Sequence, residues 1–134
     1  MRSEARDPQL LKGVLPMLVL ALLTERESYG YELVTRLQAD GLSDIATGTV
    51  YPVLVRLERE GQLTSRLVAS SSGPARKYYL PTARGADELT RSTEAWVRLT
   101  ITVKATLGHA DPRHPDPGHP RDDAPTPPTP EEPR

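Results

Sequence analysis

Residues 47–61, Thr47-Gly48-Thr49-Val50-Tyr51-Pro52-Val53-Leu54-Val55-Arg56-Leu57-Glu58-Arg59-Glu60-Gly61, constrain this chain more than any other stretch. At about 100° per residue, Val50, Val53, Leu54 and Leu57 fall on one side of a helix. Tyr51, Pro52, Val55, Arg56 and Arg59 fall on the other. The first side demands a core. The second carries a phenol, a pyrrolidine ring, an apolar knob and two guanidinium groups, a set suited to base edges and phosphates. Thr47 or Thr49 caps this helix. The later start is preferred, because it puts Pro52 in the first turn, where its missing amide hydrogen is harmless. Gly61 stops it.

The chain of 134 residues holds one domain with a modest core. It has no cysteine, which excludes a disulfide framework and a thiolate metal site and fits a reducing, cytoplasmic setting. The formal net charge of −1 hides an asymmetry. Residues 1–107 carry 14 Lys/Arg against 12 Asp/Glu, whereas residues 108–134 carry 3 Arg against 6 Asp/Glu. The body is mildly basic and the tail acidic, so any affinity for DNA must come from where charge sits.

Before the amphipathic segment, residues 10–23 read as a first helix, interrupted at Pro16: either the regular helix starts near Leu15 or it bends there. The run from Met17 to Leu23 is apolar almost all round and implies burial on several sides. It is too short and interrupted to cross a bilayer and lacks a small-residue cleavage site. Ser28 is the expected N-cap of a second helix through Ala39, with Tyr31, Leu33, Val34 and Leu37 inward and Gly41 ending it. Gly30 in its first turn suits close approach by another helix. After Gly61, residues 63–69 and 75–80 read as two strands joined by residues 70–74, with Pro81 closing the hairpin. Thr82 caps a long helix to about residue 107. There Leu89, Trp96 and Val103 recur every seven residues, a seam like that of a coiled coil, which calls for a second subunit.

These blocks resemble the PadR family of bacterial transcriptional regulators, named for the repressor of phenolic acid decarboxylase. Leu11-Lys12-Gly13-Val14-Leu15 with residues 18–23 is similar to the family's first helix. Tyr29-Gly30-Tyr31-Glu32-Leu33 is similar to the start of its second, and residues 48–61 to its recognition helix. Ser72-Gly73-Pro74-Ala75-Arg76-Lys77-Tyr78-Tyr79, then Thr82 and Gly85, are similar to its wing and the start of its last helix. Any one block is weak; four in order at matching spacing are specific. Pro81 departs from the aliphatic residue usual there, and the single last helix is that of the small-type members.

The resemblance implies a mostly α fold with a small β-hairpin: a winged helix-turn-helix at residues 10–81 and a dimerisation helix at 82–107. An N-terminal arm (1–9) and a disordered proline-rich tail (108–134) flank them. It implies a homodimeric, ligand-responsive repressor on a near-palindromic operator in double-stranded DNA, its recognition helices about 34 Å apart. The candidate DNA contacts are Tyr29, Thr47, Thr49, Tyr51, Pro52, Arg56, Arg76 and Lys77, with Arg59 ranked lower. Tyr51 has a rival role, packing under the wing. Leu89, Trp96 and Val103 are the candidates for dimerisation, and Trp96 for stacking a planar aromatic effector.

The remaining features point elsewhere or nowhere. Nine of the fourteen prolines and all three histidines lie beyond residue 107. His109, His114 and His119 are too loosely held for a metal site, and no cofactor is expected. With no histidine in the body, no phosphate-cradling glycine loop and no paired carboxylates, the chain is not expected to be an enzyme, and with residues 10–23 too short and interrupted to cross a bilayer it is not expected to engage a membrane. The competing expectation is a winged-helix protein-interaction module that reads no specific DNA.

Overall fold

The computed structural model describes residues 8–110. The elements run α1 (Pro8–Glu25), β1 (Ser28–Tyr29), α2 (Gly30–Ala39), α3 (Thr47–Arg59), β2 (Leu63–Ser70), β3 (Gly73–Pro81) and α4 (Ala83–Ala110). The three strands form one antiparallel sheet in the order β1-β3-β2. Three helices against a small sheet whose last two strands form a hairpin make a winged helix-turn-helix, followed by one long helix. The chain divides into two compact units with the boundary between Trp96 and Val97, inside α4. Residues 1–7, most of the expected arm, and the proline-rich stretch from 111 onward lie outside the described residues, as do His114 and His119.

In the first unit the core is built where the apolar pattern called for it. Leu15, Val19, Leu20, Leu22 and Leu23 of α1 meet Leu33, Val34 and Leu37 of α2 and Val50, Leu54 and Leu57 of α3. Leu63 and Tyr79 close it from the sheet, and Leu89 of α4 packs against its edge. A buried leucine contributes about 1.5–3 kcal/mol, so α3 is anchored chiefly by this one stripe. Helix α1 is long and apolar enough to span a membrane, yet its buried side chains belong to this core. It is continuous through Pro16, which leaves the Lys12 carbonyl without its usual i+4 donor.

Helix ends follow the glycines. Gly41 and Gly61 have φ of 122° and 77°. Around Gly61, its own amide donates to Glu58 O (3.1 Å) and the Gln62 amide to Leu57 O (2.8 Å). Around Gly41 the equivalent bonds run to Gln38 O (3.2 Å) and from Leu42 to Leu37 O (3.0 Å). Both are Schellman ends, in which the left-handed residue lets the chain turn back on its last carbonyls. Thr82 caps α4 as expected. Its Oγ1 accepts from the Gly85 amide (3.1 Å) and donates to Gly61 O (2.6 Å), joining the end of α3 to the start of α4.

Four expectations are corrected. Ser28 is not a cap: it pairs with Tyr79 in β1, fully buried, and Tyr29 takes the N-cap position without a side-chain bond. A two-residue strand is too short to carry a period, so no sequence pattern announces it. Tyr31 is 62% exposed, not inward. The inward position is Gly30, and Tyr31 lies one residue further round. Helix α3 begins at Thr47 after Ala46, so Pro52 is its sixth residue and the Gly48 carbonyl goes without an i+4 donor. Ile45 explains the earlier start. It is buried in the core just ahead of Ala46 and sits, with Val50, at the two positions of a hydrophobic staple. The hairpin strands are longer than expected, leaving only Ser71 and Ser72 between them.

Candidate nucleic-acid interface

Helix α3 turns Val50, Leu54 and Leu57 into the core and leaves Thr47, Thr49, Tyr51, Pro52, Val55 and Arg59 exposed. Its entry lacks a side-chain cap, so the positive end of the helix dipole lies open beside two threonine hydroxyls. Tyr51 is 41% exposed. Its ring lies across the first turn of α2, where a Cβ at Gly30 would sit 2.8 Å from Tyr51 Cε1 and closer still to the hydroxyl end. Gly30 is therefore the seat of the Tyr51 ring. Arg56 is half-buried. Its Nε is 3.8 Å from Glu60 Oε1, too long for a hydrogen bond, and that shielded nitrogen has no partner among the described residues.

Strand alternation sorts the wing residues onto two faces. Lys77, Tyr79 and Ser65 share the face turned to α3. Lys77 Nζ donates to Glu58 Oε1 (2.9 Å) and lies 5.4 Å from the Tyr79 ring centroid, and Ser65 Oγ donates to Glu58 Oε2. One carboxylate of α3 thus gathers both strands of the wing. Lys77 first and Ser65 second hold the Glu58 carboxyl below the usual carboxylate range, and Glu58 raises the Lys77 ammonium in return.

Arg76, Tyr78 and Tyr29 share the opposite face. The Arg76 guanidinium sits 4.5 Å above the Tyr29 ring, and Tyr29 meets Tyr78 edge-on at 5.4 Å. On the same face Arg66 grips Glu27 through two bonds, one from Nε at 2.9 Å, which lowers that carboxyl's pKa. Arg76 and Lys77 are thus separated: Arg76 faces outward on an aromatic pair, and Lys77 is engaged at α3.

Sequence reasoning passed over Arg36. Its side chain is 10% exposed and donates to Leu22 O (2.7 Å), Ser28 Oγ (2.8 Å) and Arg26 O (3.2 Å), with Glu25 at 3.2 Å. It ties the end of α1 to β1 and α2, adding a second, charged donor to the Leu22 carbonyl, which also accepts from the Arg26 amide at 3.3 Å. A lone arginine on a helix carries no signal of that role in sequence.

Of the seam residues, Leu89 packs on the core, whereas Trp96 and Val103 are 46% and 43% exposed. No group of three or more metal-ligating side chains comes together among the described residues.

The profile of the PadR-like transcriptional regulators matches residues 19–91, more than half of the chain. The chain belongs to this family. The match spans the end of α1, α2, α3, the wing and the start of α4. Among solved structures, a PadR-like transcriptional regulator of Bacillus cereus is 39% identical, with a TM-score of 0.67 over 74% of this chain and 96% of that one. A Streptococcus transcriptional regulator is 36% identical, with a TM-score of 0.69 over 75% and 99%. A PadR-family regulator of Eggerthella lenta is 38% identical, with a TM-score of 0.68 over 74% and 86%. An uncharacterized protein of Lysinibacillus sphaericus is 28% identical over 67% of this chain and 84% of its own length. The chain is accordingly a PadR-family transcriptional regulator, a class that acts on DNA rather than as an enzyme.

Proposed function

We propose that this regulator is a cytoplasmic, homodimeric repressor that reads a near-palindromic operator with the outer face of α3. The observation that carries the reading is the bracing of that face. Tyr51 is set on Gly30, Glu58 binds α3 to the wing, and Thr49, Pro52 and Arg56 stand beside Tyr51. Preorganised side chains reach a groove without first being ordered. Thr49, Tyr51 and Pro52 meet bases and nearby phosphates, and Arg56 meets a phosphate one turn on. Thr47 stands with the helix entry at the backbone. Arg76, stacked on Tyr29, reaches the duplex from the wing. Lys77 serves by orienting the wing, and adds its charge to the phosphate field. Two copies pair through the outward apolar residues of α4, Trp96 and Val103 among them, with Trp96 offered to a planar aromatic effector.

The test is DNA selection followed by affinity measurement at fixed salt. The purified protein should enrich an inverted repeat from genomic fragments. Tyr51→Ala and Arg56→Ala should each weaken binding by about 1–3 kcal/mol, the usual worth of a good contact. If neither does, the assigned surface is wrong; if no repeat is enriched, the protein is an interaction module instead.

A further inference from the structure

A cleft of about 940 Å³ runs between the amino-terminal half of α1, residues 42–45 and the outer face of α3. Its floor is apolar: Leu11, Pro16, Leu42 and Val55 line it, and Val55 is 55% exposed. Lys12, Arg56 and Arg59 also line it, against a single acid, Asp44. Among the described residues no carboxylate pairs with Lys12 or Arg59, and Arg56 has only the 3.8 Å approach of Glu60 Oε1 to its Nε, without a hydrogen bond there. Apolar walls with cations contributed by both α1 and α3 match a molecule with an apolar body and one negative group. Thr49, Tyr51 and Pro52 border the same cleft.

We propose that this cleft binds a small amphipathic organic anion, and that the bound anion and DNA exclude each other on α3. The binding half stands on the cleft alone. The exclusion half rests on α3 being the helix that reads DNA. An occupant here covers Tyr51, Pro52 and Arg56 directly, so release from DNA requires no conformational relay. A ligand stacked on Trp96 would have to act at a distance.

The probe is 8-anilinonaphthalene-1-sulfonate, titrated into the full chain and followed by fluorescence. Saturation at one dye per protomer is expected. Arg59→Glu and Val55→Glu alter exposed side chains and should each weaken binding at least fivefold, whereas Trp96→Ala should leave it unchanged. N-phenyl-1-naphthylamine, with the same rings and no charge, should bind at least fivefold more weakly. Selected operator DNA should displace the dye. Loss of the dye with Trp96→Ala alone, or equal binding of the neutral probe, overturns the assignment. Dye uptake that arises only after dilution to a monomer means that a second copy fills the cleft, which also overturns it. DNA that binds without displacing dye overturns the exclusion. A protein that takes up dye as expected but binds no DNA in its absence sinks the DNA reading and the exclusion with it, and leaves the cleft assignment supported.

Discussion

At the scale of single residues, Tyr51 owes its place to the missing side chain at Gly30. Gly30→Ala adds a methyl group under the far end of a flexible side chain, so the ring moves and the backbone stays. Alanine also favours the helix by about 0.5–1 kcal/mol. The expected result is a nearly unchanged melting temperature with DNA affinity reduced about tenfold, measured by fluorescence anisotropy at constant salt. Gly85 makes the contrast. A Cβ there runs into the Gln62 carbonyl, which is backbone and cannot swing aside. Gly85→Ala should lower stability by about 1–3 kcal/mol in urea unfolding, the range for overpacked sites. Arg36→Ala should lower it by about 2 kcal/mol, because Ser28 and the end of α1 lose a charged donor.

At the scale of elements, the joint between α3 and the wing is one carboxylate shared by two strands. The folded Glu58 pKa is depressed, chiefly by the Lys77 bond, so its contribution is complete above the unfolded carboxylate value of about 4.3. It is lost as pH falls through the lower, folded value. The folded Lys77 pKa is raised, so its contribution is complete below about 10.4 and is lost as pH rises through the folded value. Wing amides should therefore lose protection, relative to the intrinsic exchange rate at each pH, as pH falls through the depressed Glu58 value, while the α1–α3 core stays protected. Glu58→Gln should flatten that acid limb. Both side chains are about a third to a half exposed, which limits the clamp to less than about 1 kcal/mol. On the proposed reading its importance is orientation: a wing that drifts from α3 would present Arg76 and Tyr51 out of register.

At the scale of the whole molecule, the proposed pairing would turn one reading head into two. Trp96, Val97, Leu99, Ile101, Val103 and Leu107 are exposed on α4. On the proposed reading these side chains are covered by the second copy. Trp96→Asp should shift the sedimentation mass from two copies to one and reduce operator affinity at least a hundredfold, since a monomer holds one half-site. Residual binding should fall steeply with salt, because phosphate contacts release counterions. The body's excess of cations is small, so affinity depends on their placement rather than their number.

Sequence by itself determined the amphipathic stripe of α3, the glycine ends at Gly41 and Gly61, the Thr82 cap and the order of the wing. Each is a local rule, legible in a few consecutive residues. Only the tertiary structure decided that Ser28 is a strand residue, that Ile45 moves the start of α3 forward, and that Gly30 seats Tyr51. It also decided that Lys77 belongs to Glu58 while Arg76 belongs to Tyr29. Those outcomes join residues from different elements, as far apart as Ser28 and Tyr79. A period along the chain records which way a side chain faces, and nothing about what arrives to meet it.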